Sequence, residues 1–230
     1  MSEQLAALKA KGHWRVAIRP LPFVESRLPP ADLERVLAER QVQIRGWHVP
    51  HISNREPVIN GTDWIGQESS FGYHVEAWRF FTSGQFALVR GFQQDWRESS
   101  PYQPWDSPLE ISAKRIQVSA VLFFFTEVLE LATRLSLSPA GSDRMNIRIT
   151  TAGLAGRQLV VEDQRRAEFN QPYISGEDEV TFEKELSRDD LVANGAAIAV
   201  SASRKVFGAF GWRSENPAIL DDYQASFLRQ

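Results

Sequence analysis

The sequence predicts an α+β protein: a mixed or antiparallel sheet built from hairpins, packed on a long central apolar helix, with further helices toward the C-terminus. Three observations predict it. Apolar and polar residues alternate at a period of two within residues 13–20, 71–94, 145–161 and 180–186, the pattern of strands. Between Leu109 and Leu137 apolar residues recur at helical spacing around most of the circumference, so that helix is buried on most sides. Clusters of Gly and Pro separate these runs and mark turns.

The elements follow in order. Leu5 and Leu8 share a face of a short helix over residues 2–11. Trp14, Val16 and Ile18 alternate with Arg15, Ala17 and Arg19 in a half-buried strand that Pro20 ends. Pro29-Pro30 opens a helix carrying Leu33, Val36 and Leu37 on one side, since proline suits a first helical turn. Val42 to Trp47 reads as a strand and residues 48–66 as loop. Phe71–Phe81 and Phe86–Gln94 then flank Thr82-Ser83-Gly84-Gln85, a turn sequence. With Ser83 and Gly84 as its central pair, Phe81 faces Phe86 and Val75 faces Phe92, while Trp78 meets Val89 on the other side. Both faces are apolar, which predicts a central place in the sheet.

The helix over 109–137 places Val121, Phe125, Val128, Ala132 and Leu135 on one face, with Phe123, Phe124 and Leu131 beside it and a Glu130–Arg134 pair on its polar side. Strands over 145–151 and 157–161 flank Gly153-Leu154-Ala155-Gly156, read as a hairpin turn. After the strand 180–186, Ser187 and Asp190 start a short helix that ends at Asn194-Gly195. Ala199, Ala202, Val206 and Phe210 mark the next helix, which ends at Gly211, and residues 218–229 form a last one. The chain is either one unit over 1–230 or two closely packed lobes, 1–96 and 109–230, joined by the Pro-rich linker 97–108.

Composition narrows the chemistry. There is no cysteine, which removes disulfides, thiolate metal sites and a cysteine nucleophile. The first residues carry no basic segment followed by an apolar one, which predicts no signal peptide. The strongest apolar run, Val118–Phe125, is far shorter than the ~20 residues of a membrane-spanning helix. Together these predict a cytoplasmic protein with no membrane partner. Residues 1–60 carry an excess of basic residues, nine against six acidic, much less than the stripe of a dedicated nucleic-acid binder.

No phosphate-binding Gly-x-x-x-x-Gly-Lys motif and no Gly-x-Ser-x-Gly elbow are present. His48 and His51 are close in sequence but lack a third ligand, so they read as loop histidines and no metal or cofactor is expected. His74 and Glu76 share a strand face with Trp78. They read either as a general acid–base pair or as cross-strand polar pairs on a half-exposed strand. Asp189-Asp190 and Asp221-Asp222 read as helix starts, and Glu177-Asp178-Glu179 as a solvated turn. Trp64, Trp96 and Trp105 sit in polar or Pro/Gly-rich surroundings, with Arg97 next to Trp96 and Arg45 and Arg55 elsewhere in the same half. These rings read either as closing the core from its edges or, since tryptophan beside arginine in such loops is the composition of an interface, as interface anchors.

Several short motifs stand out along the chain: Trp14-Arg15-Val16 to Pro20, Arg45-Gly46-Trp47 with Pro50-His51, and Trp78-Arg79 with Ser83-Gly84-Gln85-Phe86 and Asp95-Trp96. They continue as Thr126-Glu127-Val128 with Arg134-Leu135, Gly156-Arg157-Gln158-Leu159 and Phe210-Gly211-Trp212. Together these resemble the region C-terminal to the AlbA-type, Schlafen-like domain of bacterial proteins labelled as ATP-binding or DNA-binding. That domain itself is missing from this sequence, so none of the family's site residues carry over. The resemblance implies a companion module working beside a separately encoded protein in a bacterial regulatory or phage-defence system. The expected function is therefore a non-catalytic binding or regulatory subunit with a protein partner, using Trp64, Trp96, Trp105 and Arg97. The alternatives are a nucleic-acid-binding protein, and an enzyme using His74 and Glu76.

Overall fold

The computed structural model describes residues 2–45, 47–99, 114–161, 168–213 and 218–229. In chain order the elements are α1 (Glu3–Lys9), β1 (His13–Leu21), a 3-10 turn with α2 (Leu33–Arg40), β2 (Val42–Gln43), β3 (His48–Val49), β4 (Ile59–Asn60), β5 (Trp64–Phe71), β6 (His74–Phe81) and β7 (Phe86–Gly91). A 3-10 segment, Gln93–Ser99, follows. Then come β8 (Arg115–Gln117), α3 (Val118–Ser136), β9 (Arg144–Ala152), β10 (Gln158–Val160), β11 (Tyr173–Ile174), β12 (Glu179–Ser187), α4 (Arg188–Ala209) and α5 (Ala218–Leu228).

This is the expected α+β class. Seven strands form one antiparallel sheet in the order β12-β9-β1-β7-β6-β5-β4. Strands from both sides of the Pro-rich segment thus meet in a single sheet, joined at β1. The apolar hairpin strand β7 lies at its centre.

The β6–β7 register is one residue away from that expected. Phe80, not Phe81, opposes Phe86, and Trp78 opposes Leu88 rather than Val89. The cause is the turn. Gly84 N–H donates to Phe81 O at 2.8 Å, Phe81 N–H donates to Gln85 O at 3.0 Å, and Gly84 has φ +78°. This is a three-residue loop closed by a left-handed glycine, which adds one residue to the connection. A Cβ on Gly84 would overlap the Ala140 carbonyl oxygen. Gly84→Ala is therefore expected to cost about 2 kcal/mol or more; a urea midpoint unchanged from wild type would refute this. Phe71 belongs to β5, which a second tight turn at Gly72 (φ +60°) connects to β6. Residues 48–66, expected as loop, supply β3, β4 and the start of β5. Among the described residues of the strand expected over 42–47, only Val42–Gln43 are strand.

On one face of the sheet lie Val16, Ile18, Trp78, Phe80, Phe86, Leu88, Ile147 and Ile149, all buried against α3 and its neighbours. Val121, Phe125, Val128, Ala132 and Leu135 of α3 are fully buried, as their spacing predicts. α3 starts at Val118, later than expected, because Arg115–Gln117 are taken up as β8, which pairs in parallel with β10; residues 109–113 lie outside the described residues. Ser187 caps α4 by accepting from Asp190 N–H. α4 then runs straight through Asn194-Gly195, where a stop was expected, and is longer than α3. Glycine inside a helix costs only about 1 kcal/mol; here the helix is held by packing on α3, where Thr133 Oγ1 donates to Leu191 O at 3.3 Å. α4 ends at Gly211 (φ +73°), with Trp212 N–H donating to Phe207 O. The turn 153–156 is not a hairpin: β9 belongs to the large sheet, and β10 to a three-stranded sheet with β8 and β11. Among the described residues the second face of the large sheet is covered only in part, by α1. Among the described residues no helix is long and apolar enough to cross a membrane.

Candidate functional site

Two places gather the residues singled out from the sequence. The first lies on the core face of the sheet. The β6–β7 register sets Glu76 directly opposite Arg90, and both are buried beneath α3. Glu76 Oε2 accepts from Arg90 Nε at 2.8 Å, with Arg90 Nη2 2.6 Å away as an ionic contact lacking hydrogen-bond alignment. Oε1 accepts from His51 N–H at 2.6 Å. Arg90 Nη1 lies 3.9 Å from Glu127 Oε2 of α3. Glu127 in turn accepts from Arg45 Nε and Nη2 at 2.8 and 2.6 Å, a two-point clamp. The charges alternate along Glu76, Arg90, Glu127 and Arg45, and Arg45, one-third exposed, carries the chain to the surface.

His74 Nε2 lies 2.8 Å from Glu76 Oε2 and 2.9 Å from Trp47 Nε1. A neutral ring nitrogen holds a proton or a lone pair, so it can serve one of these neighbours only. Beside an ionised carboxylate the proton-bearing form is favoured, and His74 Nε2 donates to Glu76. Burial by itself would raise the Glu76 carboxyl, but Arg90, His74 and the His51 N–H bring it from 4.5 down to about 2. Burial lowers His74, against the pull of Glu76, so the ring is neutral at pH 7. The half-exposed strand expected for His74 and Glu76 is thus corrected: both are buried, in a network tying β6, β7 and α3 to the segment around Arg45 and Trp47. Every contact of the carboxylate is internal, and it has no exposed surface from which to meet a substrate.

His48 and His51 do not converge. His51 stacks on Trp47 with ring centroids 4.6 Å apart, and His48 pairs with Gln43 in the β2–β3 ladder. Among the described residues no three His, Cys, Asp or Glu side chains are grouped to hold a metal.

The second place is the partly covered outer face of the sheet. Trp64, half-buried, lies there with the Arg79 guanidinium 4.4 Å over its ring. It borders a shallow hollow of about 160 Å³, floored by Ala77, Ala87 and Val89 and walled by Leu5 and Ile59. Trp96 is not beside it. Its indole closes over Gly91 beneath the Lys11 ammonium, 4.2 Å away, and its Nε1–H finds no acceptor among the described residues. Arg97 belongs to the 3-10 segment after β7, and Trp105 lies outside the described residues. Trp64 and Trp96 therefore occupy separate surroundings.

The sequence reading missed the buried charges Arg90 and Glu127, and placed Arg45 beside the interface tryptophans rather than on Glu127. A signal for the first two was present. Arg90 is in phase with Phe86, Leu88 and Phe92, and Glu127 sits between Thr126 and Val128 in the most apolar helix, so each is a charge at a core position. Comparison with protein-family models, with curated proteins and with solved structures finds no match to this chain.

Proposed function

We propose that this chain is a non-catalytic binding or regulatory subunit that holds a separately encoded protein partner against the outer face of its sheet. One observation carries this reading: Trp64 stands at the edge of an apolar hollow that none of the described residues fills, with Ile59 47% exposed beside it. A half-buried tryptophan under an arginine, next to small apolar residues, is the make-up of an interface core. The resemblance to the region beside Schlafen-like domains suggests that the partner is encoded apart, in a bacterial regulatory or defence system.

The test is purification at native abundance from the host, with the partner identified and its stoichiometry measured. Trp64→Ala is expected to weaken association by about 2 kcal/mol, or roughly thirtyfold. Ala87→Glu, which places a charge in the hollow, is expected to abolish it. Both variants should melt within a few degrees of wild type. A protein that runs alone, or a complex indifferent to Ala87→Glu, would rule the reading out.

A further inference from the structure

A cleft of about 690 Å³ opens farther along the same outer face of the sheet, where the start of β1, the 3-10 segment after β7, the 153–156 turn and the residue before β8 meet. Five Lys or Arg side chains line it against three carboxylates. Two of the carboxylates are neutralised in place. Arg157, almost fully buried, donates from Nη1 and Nη2 to Asp95 Oδ1 and Oδ2 at 2.8 and 2.7 Å. Asp95 Oδ2 also accepts from Gly12 N–H at 2.8 Å. Arg15 pairs with Glu179. Lys11 is then fixed at the rim, donating from Nζ to the Asp95 carbonyl at 2.8 Å and lying over Trp96. That bond is to a neutral carbonyl rather than to a carboxylate. Lys114 stands exposed across the opening. Asp178, the third carboxylate, is turned to the Ala155 N–H.

His13 adds a second kind of group. The ring is 6% exposed and lines the cleft. Its Nδ1 lies 2.8 Å from the Lys11 carbonyl and donates to it, which leaves Nε2 as the acceptor of the neutral ring. Burial lowers the ring's affinity for a second proton, so the acceptor form persists at pH 7. Nε2 has no partner among the described residues. The cleft thus offers the cations of Lys11 and Lys114, with Lys9 also in its lining, and one acceptor from His13.

We propose that this cleft binds a sugar phosphate, free or as part of a nucleotide, with Lys11 and Lys114 on the phosphate and His13 Nε2 accepting from a sugar hydroxyl. The volume suits a ligand of that size. A bare anion would satisfy the lysines but leave His13 without a donor. The cleft shares no lining residue with the hollow beside Trp64, so the two readings fail independently.

Titration calorimetry on the full chain tests it with three probes: ribose 5-phosphate, ADP and pyrophosphate. Saturable binding is expected for ribose 5-phosphate or ADP, and which of the two binds more tightly tells a free sugar phosphate from a nucleotide. Lys114→Glu, at an exposed position, is expected to weaken that binding at least about tenfold with an unchanged melting temperature. His13→Phe is expected to weaken the sugar-bearing probe severalfold and to leave pyrophosphate within about twofold. Four results would overturn the proposal: no saturable binding of either sugar phosphate to the folded protein, pyrophosphate binding as tightly as both, indifference to Lys114→Glu, or an oligothymidine strand binding more tightly than all three.

Discussion

Leu129→Asp is expected to leave no soluble, cooperatively folding protein. Leu129 is 1% exposed, on the helix that fills the space between the sheet and α4. An unpaired carboxylate there would lose its hydration and also the apolar contacts of the leucine, at a cost of several kcal/mol. Total stability for a domain is about 5–15 kcal/mol, so the change consumes much or all of it. Phe124→Asp is expected to be milder, although Phe124 is equally buried and stacks on Trp14 with centroids 4.5 Å apart. Arg90 lies 5.3 Å from the Phe124 ring and can meet the new carboxylate. Soluble yield and urea unfolding of both variants check this; a Leu129→Asp protein with a sharp transition would show that the helix is not the core.

Arg90→Met is expected to cost 3–5 kcal/mol, roughly what removal of one partner from a buried ion pair costs. It leaves Glu76 without its arginine on the core side of the sheet, while Glu127 keeps only its clamp to Arg45. The double variant Glu76→Gln/Arg90→Met should recover part of the loss, since the stranded charge on β6 goes with its partner. The same network sets the response to acid. Unfolded, Glu76 takes up its proton near 4.5; folded, near 2. Its contribution is therefore complete above pH 4.5 and is lost as pH falls toward 2, on the order of 3 kcal/mol. His74, lowered by burial from 6.5, acts earlier: the unfolded chain takes up that proton first, so stability begins to fall as pH drops below about 6.5. His13 and His51 are lowered as well, also mainly by burial, and add in the same direction. The urea midpoint measured from pH 7.5 to 3 should decline in two stages, and in Arg90→Met the lower stage should shrink. A midpoint flat across that range would contradict the network.

How far the sequence could be read depended on the range of the interactions concerned. The burial of α3, the cap at Ser187 and the stop at Gly211 are decided within a few residues, and residue spacing exposes them. The β6–β7 register depended on one glycine. A two-residue turn would put Arg90 on the face of Val75 and Ala77, and Glu76 on the other face. The three-residue loop closed by Gly84 puts them opposite each other on one face. A slip of one position therefore concealed the buried ion pair and, with it, the role of His74. The joining of β1 to β9, and the separation of β9 from β10, rest on contacts between distant segments that leave no local periodic signal. Asn194-Gly195 misled for a related reason: its local preference for stopping a helix is weaker than packing on α3.

The position of β1 has a consequence during synthesis. Once the ribosome has made the first hairpins, β1 can align with β7, but its other edge has no partner until Arg144–Ala152 emerges, a stretch that begins 53 residues after Gly91 ends β7. For that interval the nascent chain presents an open strand edge flanked by Trp14, Val16 and Ile18, able to pair with any extended segment nearby. Completing the sheet is the slow, long-range step. Truncated chains that stop before β9 should consequently collect in aggregates or on chaperones, however sound their first hairpins are.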